Sequence, residues 1–322
     1  MNNVNNLVSN PPLWDESDER AVLVPYTHIA SKPGKSFRSR LINVFNEIYN
    51  IPQPKTDQIA TLVAILHNAS LLIDDIEDNS TLRRGIPTSH VLFGVPMTIN
   101  SANYMYFRAM EILQTIAGDN KLLLHDLMVI FNQEMINLHR GQGLDIHWRE
   151  NVLHFIPDET LYFNMVMNKT GGLFRLTVRI MELLTDTELP HSLVPLSNLL
   201  GIIYQVRDDY QNLSDEQMVA NKGLAEDISE GKLSFPIIHG LRYGREHDDS
   251  RLQDILQLRT QDVHLKQAAL DYLRSESHSL EYTRTKLNEL TNLAKTGDYL
   301  PWQAFPQAAE HLQSVVDYLS AS

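Results

Sequence analysis

Three features of this chain predict an all-α fold. It has only 14 glycines and 14 prolines in 322 residues, and the prolines leave uninterrupted spans at 97–156, 158–189, 196–235 and 237–300. Within those spans apolar residues recur at steps of three, four and seven, the spacing that lines one face of a helix. Nowhere do several alternating β-branched runs occur with hairpin turns between them, so a sheet has no pattern to form from. The expectation is a single domain of roughly ten or more helices.

Taken in order, the elements follow from local signals. Residues 1–20 hold Asp15, Glu16, Asp18 and Glu19 before the first basic residue, Arg20. They are expected to form a mobile arm, with 21–322 as the all-α domain. Pro33-Gly34-Lys35-Ser36-Phe37-Arg38 opens a helix with Lys35 and Arg38 one turn apart, where free amide groups also favour anions. Ile59, Leu62, Val63, Leu66 and Ile73 form the stripe of a helix that begins near Asp57 and ends in Asp74-Asp75-Ile76-Glu77-Asp78. Further stripes run through 97–118, 121–147, 159–184, 193–213, 234–244, 263–296 and 302–319. Inside one of them, Gly171 and Gly172 cost about 1 kcal/mol each relative to alanine. A kink where backbone approaches a ligand would explain them, and so would close helix packing. No fixed-period repeat, low-complexity tract or charged tail is present.

Composition excludes several functions. The absence of cysteine removes disulfide scaffolds, thiolate zinc sites, iron–sulfur clusters and a cysteine nucleophile. A formal charge of −13 argues against sequence-independent nucleic-acid binding, which draws on Lys and Arg. Every leucine-rich stretch is broken by a charged or amide residue before it reaches the ~20 residues of a membrane helix, so no transmembrane segment is expected. The acidic start is the reverse of a signal or transit peptide, which makes the cytoplasm the expected location. Four N-x-S/T triplets, at Asn68, Asn79, Asn168 and Asn212, fall within the segments discussed next, where glycans would block a site.

The chemistry is concentrated in two acidic clusters. Asp74 and Asp78 project from one helix face, with His67 and Ser70 further back on it. Like charges at that spacing call for a counter-ion. An EF-hand is ruled out, because Ile76 and Asn79 occupy its third-ligand and glycine positions. Asp208-Asp209-Tyr210-Gln211-Asn212 ends a second apolar helix. If the two helices face each other they form a carboxylate-lined mouth above an apolar cavity. Mg²⁺ suits such sparse ligands better than Ca²⁺, because it takes one or two carboxylates and completes its shell with water and phosphate oxygens. A diphosphate substrate is therefore expected. Cations to receive it are present in Arg83-Arg84-Gly85, Lys35, Arg38, Lys169-Thr170-Gly171-Gly172, Lys222 and Lys232. Gly34-Lys35-Ser36 is not a P-loop, since Ile29 holds the first-glycine position.

These strings resemble the trans-isoprenyl diphosphate synthases, and within them the geranylgeranyl diphosphate synthases of fungal and animal type. The resemblance runs from Pro33-Gly34-Lys35-x-x-Arg38 through His67-Asn68-Ala69-Ser70-Leu71-Leu72-Ile73-Asp74 to Glu230-Gly231-Lys232-Leu233-Ser234-Phe235-Pro236. It is nearest to the yeast type through Asn103-Tyr104-Met105-Tyr106-Phe107-Arg108 and Leu138-His139-Arg140-Gly141-Gln142-Gly143-Leu144-Asp145. It implies the polyprenyl synthase fold, mostly antiparallel helices around a central apolar cavity, in a homodimer. It implies catalytic roles for Asp74, Asp75, Asp78, Lys169, Asp208 and Lys232. Three Mg²⁺ ions would be held by Asp74, Asp78 and Asp208, with help from Asp209 and Asn212. Arg83, Lys169, Thr170, Gln205, Lys222 and Lys232 would hold the allylic diphosphate or steady its cation. Gly34, Lys35, Arg38, His67 and Arg84 would hold isopentenyl diphosphate. The small Ala69 and Ser70 would let the chain grow past C15, with Tyr106, Phe107 and His139 closing the floor at C20.

Two other readings stay open on sequence alone. A class I terpene cyclase would use Asp208, Asn212 and Glu216 as a second metal motif, although Lys35, Arg38 and His67 would then have no role. A helical regulatory subunit could keep the fold without turnover, although both acidic clusters survive here.

Overall fold

The computed structural model describes residues 4, 7–32, 37–214 and 225–320. Fifteen α-helices account for most of them: α1 (Glu16–Ala30), α2 (Phe37–Tyr49), α3 (Gln53–Glu77), α4 (Ser89–Phe93), α5 (Val95–Ala117), α6 (Lys121–Glu150), α7 (Glu159–Lys169), α8 (Gly171–Leu184), α9 (Val194–Ser214), α10 (Glu226–Glu230), α11 (Phe235–Glu246), α12 (Arg251–Gln257), α13 (Val263–Asp271), α14 (Ser279–Thr296) and α15 (Pro306–Ser320). The one sheet among these residues is a two-residue hairpin, β1 (Leu82–Arg83) and β2 (Ile86–Pro87), directly after α3.

Helix starts follow the local chemistry. Asn120, Asp158 and Asp262 cap α6, α7 and α13 by accepting backbone amides. Prolines sit in the first turns of α3, α5 and α11, where no helical donor is lost. Asp15 and Asp18 make a reciprocal capping box that starts α1 at Glu16. The helix therefore begins before the boundary expected at residue 20, and Tyr104 on α5 ties it down by donating to Glu19 at 2.7 Å.

The core is arranged around α8, which packs on α2, α3, α6, α7 and α9. Its Leu173, Phe174, Leu176, Val178, Ile180 and Met181 are all buried, a wide apolar face opposite the polar stripe of Arg175, Arg179 and Glu182. Around it α2, α3, α5, α6 and α9 form a wall that α14 and α15 close.

Two sequence-based helix boundaries change. The stripe at 159–184 is two helices, broken at Thr170. The stripe at 263–296 is α13, a π-helical turn (Tyr272–Glu276) and α14. α3 also turns out to be long and apolar enough, by length and composition, to span a membrane. In the fold those residues serve the interior: Ile59, Leu62, Leu66 and Leu72 are buried, and Ala60, Ala64, His67 and Asp74 line a cavity.

Candidate active site

A cavity of about 750 Å³ opens between α2, α3, α6, α8 and α9, and both acidic helix ends reach it. Asp74, Glu77 and Asp78 come from α3 and its cap, Asp208 from α9. Lys169, Thr170, Gln205, Glu230 and Lys232 share the mouth with them. Deeper, Ile42, Ala60, Val63, Ala64, Leu138 and Leu173 give an apolar lining. A charged rim over a greasy pocket suits a substrate with an anionic head and a hydrocarbon tail.

The counter-ions demanded by the first cluster are built in. Arg83, on the hairpin after α3, donates through Nε to Asp75 at 2.7 Å and through Nη2 to Asp74 at 3.1 Å. Lys169 Nζ lies 2.5 Å from Asp145 and 3.7 Å from Asp74. Burial opposes the charged form of Lys169, but Asp145 and Asp74 prevail and raise its pKa, so it is a fixed cation. Arg149 pairs with Asp78 and donates to the carbonyl of Glu77 at 2.6 Å, which satisfies an end carbonyl of α3. Even so, burial, followed by the neighbouring Asp74, raises the pKa of Asp78, and burial raises that of Glu77. Asp74, Glu77 and Asp78 thus crowd the α3 side of the cavity, and burial is the main cause that favours the protonated form of the last two.

The second end is organised differently. Asp208 lines the cavity, while Asp209 is 1% exposed and turned into the protein. Asp209 accepts from Tyr162, from the backbone amide of Phe235 at 2.8 Å and from Gln205 at 2.8 Å, and pairs with Lys232 at 3.4 Å. Asn212 is buried and accepts from the amide of Asp227 at 3.1 Å. Both residues therefore build the wall behind Asp208 rather than the metal side of the cavity. Lys232 also lies 3.5 Å from Asp227, and these two acids raise its pKa against the effect of burial.

Beside the first acidic end lies a nest of arginines. Arg84, at φ +55°, donates to the carbonyls of Ile29 and Lys32 and to Asn68. Arg38 reaches the cavity and lies 5.6 Å from the ring centroid of Tyr204. His67 lines the same space. Burial, and then the charges of Arg38, Arg84 and Arg83, push its pKa well down, so it is a neutral imidazole among cations.

Several sequence-based assignments fall elsewhere. Asp75 is 1% exposed and paired with Arg83, which makes it a scaffold for the site rather than a catalytic group. Ala69 is fully buried outside the cavity lining, whereas Ser70 lines it. Tyr106 and His139 line the cavity with rings 5.9 Å apart, but Phe107 is 68% exposed on the outer face of α5. Gly34, Lys35, Lys222 and Glu216 lie outside the described residues. The cyclase motif loses Asn212, which caps α10 instead of facing the cavity.

Four residues of the site were missed: Gln142, which donates to Asp74 at 3.3 Å and Glu77 at 2.6 Å, Asp145, Arg149 and Glu230. The first three had a signal. Gln142, Asp145 and Arg149 fall at i, i+3 and i+7, continuing the face that Leu127, Phe131, Leu138 and Gly141 bury. A polar run on a buried helix face needs partners.

Residues 19–273 match the family described as polyprenyl synthetase. The chain is 50% identical to a geranylgeranyl pyrophosphate synthase of Eremothecium gossypii, with 100% of both chains covered. A protein of the same name from Aspergillus versicolor is 46% identical over 86% of this chain and 71% of its own. Another from Metarhizium anisopliae is 44% identical over 94% and 87%.

Proposed function

The chain belongs to the polyprenyl synthetase family, and we propose that its cavity joins isopentenyl diphosphate to an allylic diphosphate, farnesyl diphosphate by preference, giving the C20 geranylgeranyl diphosphate. The enzyme is a trans-prenyltransferase. The observation that carries this reading is the convergence of two acidic helix ends and two half-buried, carboxylate-paired lysines on one cavity with an apolar lining.

Prenyl synthases of this family are Mg²⁺-dependent. The residues present fit that ion, because Asp74 and Asp78 from the α3 end and Asp208 from α9 bring hard carboxylate oxygens to one cavity, the donor type Mg²⁺ takes. Among the described residues no three of His, Asp and Glu cluster closely enough to enclose an ion. That accords with an ion completing its shell from water and substrate oxygens. Asp74, Asp78 and Asp208 would hold it, with three ions per loaded site. When bound, it supplies charge that stabilises the departing diphosphate.

The chain's own residues do the rest. Lys169 and Lys232 hold the allylic diphosphate as fixed cations, which stabilises the negative charge that develops as its C–O bond opens to an allylic carbocation. Thr170 donates its hydroxyl proton to Gln205 at 2.5 Å, leaving its oxygen lone pairs available to that cation. Arg38, Arg84 and the neutral His67 receive isopentenyl diphosphate, whose double bond attacks the allylic carbon. The proton then lost goes to the diphosphate just released. The apolar lining keeps water from quenching the cation. Tyr106 and His139 close the floor, so alanine at both should lengthen the product. An unchanged C20 product by chromatography would oppose that role.

Two further parts of this reading concern the surroundings. Val95, Ile99 and Phe107 on α5 and Leu122, Val129, Ile136 and Leu144 on α6 are exposed. Large apolar faces of this kind are usually covered by another chain, which supports a homodimer. Phe107→Glu should then yield monomers in sedimentation velocity. A cytoplasmic placement is the other part of the proposal, and imaging of a tagged full-length chain tests it.

The main assay supplies purified protein with Mg²⁺, labelled isopentenyl diphosphate and each allylic starter in turn. C20 product that disappears with EDTA is expected. Turnover that ignores isopentenyl diphosphate would indicate a cyclase and overturn the proposal, as would no turnover at all.

A further inference from the structure

Two helix glycines outside the cavity lining touch the backbone that carries Lys169 and Thr170. A methyl group added at Gly141 on α6 would lie 2.3 Å from the amide nitrogen of Lys169 and 2.8 Å from its Cα. One added at Gly201 on α9 would lie 2.8 Å from the Cα of Gly171. Both contacts are with backbone, which cannot swing aside as a side chain would. Glycine in a helix interior costs about 1 kcal/mol relative to alanine, so each position calls for a reason. By contrast Gly143, two residues further along α6, faces open space within 4 Å.

The segment between them is a kink with an identifiable cause. Thr170 keeps helical dihedrals of −82° and −40°, so α7 and α8 are one path bent rather than two helices joined by a loop. The carbonyl of Met167, which in a continuous helix would meet the amide of Gly171, instead accepts Arg175 Nη1 at 2.5 Å. Arg175 is anchored to Glu134 on α6 at 2.7 Å and to Asn198 on α9 at 2.9 Å. Glu134 and Gly141 are seven residues apart on α6, and Asn198, Gly201 and Gln205 follow a three- and four-residue step on α9, so each helix offers both anchor and glycine from one face.

We propose that Gly141 and Gly201 are positioning residues that hold the Lys169–Thr170–Gly171 kink against α6 and α9, and so fix where Lys169 and Thr170 meet the allylic diphosphate. Asp145 lies one turn beyond Gly141 on α6 and receives Lys169 Nζ at 2.5 Å. Gln205 lies one turn beyond Gly201 on α9 and receives the Thr170 hydroxyl at 2.5 Å. Each glycine therefore sets the backbone distance for the bond beside it. This rests on the reading of Lys169 and Thr170 as allylic-site residues.

Two double-mutant cycles test it by steady-state kinetics on the full-length enzyme: Gly141→Ala with Lys169→Met, and Gly201→Ala with Thr170→Val. Each alanine alone should lower kcat/KM for the allylic substrate by about tenfold or more while changing KM for isopentenyl diphosphate less than about twofold. In the Lys169→Met or Thr170→Val background the same alanine should change kcat/KM by less than about twofold, because its route of action is already gone. Gly143→Ala should fold and turn over as the parent does. Equal losses in both backgrounds, or a loss at Gly143 matching that at Gly141, would show a general packing effect and overturn the proposal. If Gly141→Ala fails to fold, the Gly201 cycle still decides. Should Lys169→Met itself keep full turnover, the assignment of Lys169 is what fails, and the Thr170 cycle reads the kink independently.

Discussion

The two acidic helix ends look like copies in the sequence, yet they divide their labour differently. At both, the first aspartate of the pair, Asp74 or Asp208, faces the cavity, and the second, Asp75 or Asp209, is buried against a cation. That common pattern follows helical rotation: adjacent residues are about 100° apart, so the second aspartate of each pair points away from the first, into the protein. The ends differ one turn later. Asp78 stays at the cavity, held by Arg149, whereas Asn212 turns inward to cap α10. The α3 end presents three carboxylates to the cavity, Asp74, Glu77 and Asp78, whereas the α9 end presents Asp208 and anchors the segment that brings Lys232 to the mouth.

Breaking the buried half of each pair should produce the largest stability effects. Asp209→Ala strips acceptors from Tyr162, Phe235 and Gln205 and leaves Lys232 with less opposing charge. A loss of about 3–5 kcal/mol is expected in chemical denaturation, as for other broken buried pairs. Asp75→Ala should cost a similar amount through Arg83. A change below about 1 kcal/mol at either position would show that the burial seen here contributes little.

Asn212→Asp sharpens the comparison, because it gives both motifs aspartate at the first, second and fifth positions. If the third position at the α9 end served metal, the acid should strengthen Mg²⁺ binding. The geometry instead places a new charge in a buried pocket with Asp227, so a stability loss of about 1–3 kcal/mol with no gain in Mg²⁺ affinity is expected. Tighter Mg²⁺ binding in calorimetry would reverse the assignment.

How much of this the sequence disclosed depends on what kind of fact is asked. Periodicity identifies the apolar face of α3, because burial of Ile59, Leu62 and Leu66 repeats with the helix turn. It cannot say what covers a face; the cavity floor is implied by the resemblance alone, and of its three residues Phe107 points outward. Nor could it place the break at Thr170, since the apolar stripe continues through Gly171 and Leu173. The break depends on Arg175 taking a carbonyl from the preceding helix. The need for a counter-ion at Asp74 and Asp78 was legible from their spacing, but its main supplier to Asp78, Arg149, lies 71 residues away and is found only by folding.

The smallest effect concerns pH. His67 is held neutral in the fold, while in the unfolded chain it protonates below its usual value near 6.5. The unfolded state then binds the extra proton, so its contribution makes stability fall as pH drops below that value, by at most about 1.4 kcal/mol per pH unit. His67→Gln should flatten that part of the stability profile between pH 6.5 and 5. An unchanged slope would mean that His67 protonates in the fold, despite the three arginines around it.

The most direct measurement is calorimetric binding of an allylic diphosphate, with Mg²⁺, to the parent, Asp74→Asn, Asp208→Asn and the double variant. If the two ends grip one diphosphate through shared divalent ions, each single change weakens binding strongly, EDTA abolishes it, and the double variant is little worse than the poorer single. Full-strength binding in EDTA, or losses that simply add, would mean that the two acidic ends do not act on one substrate.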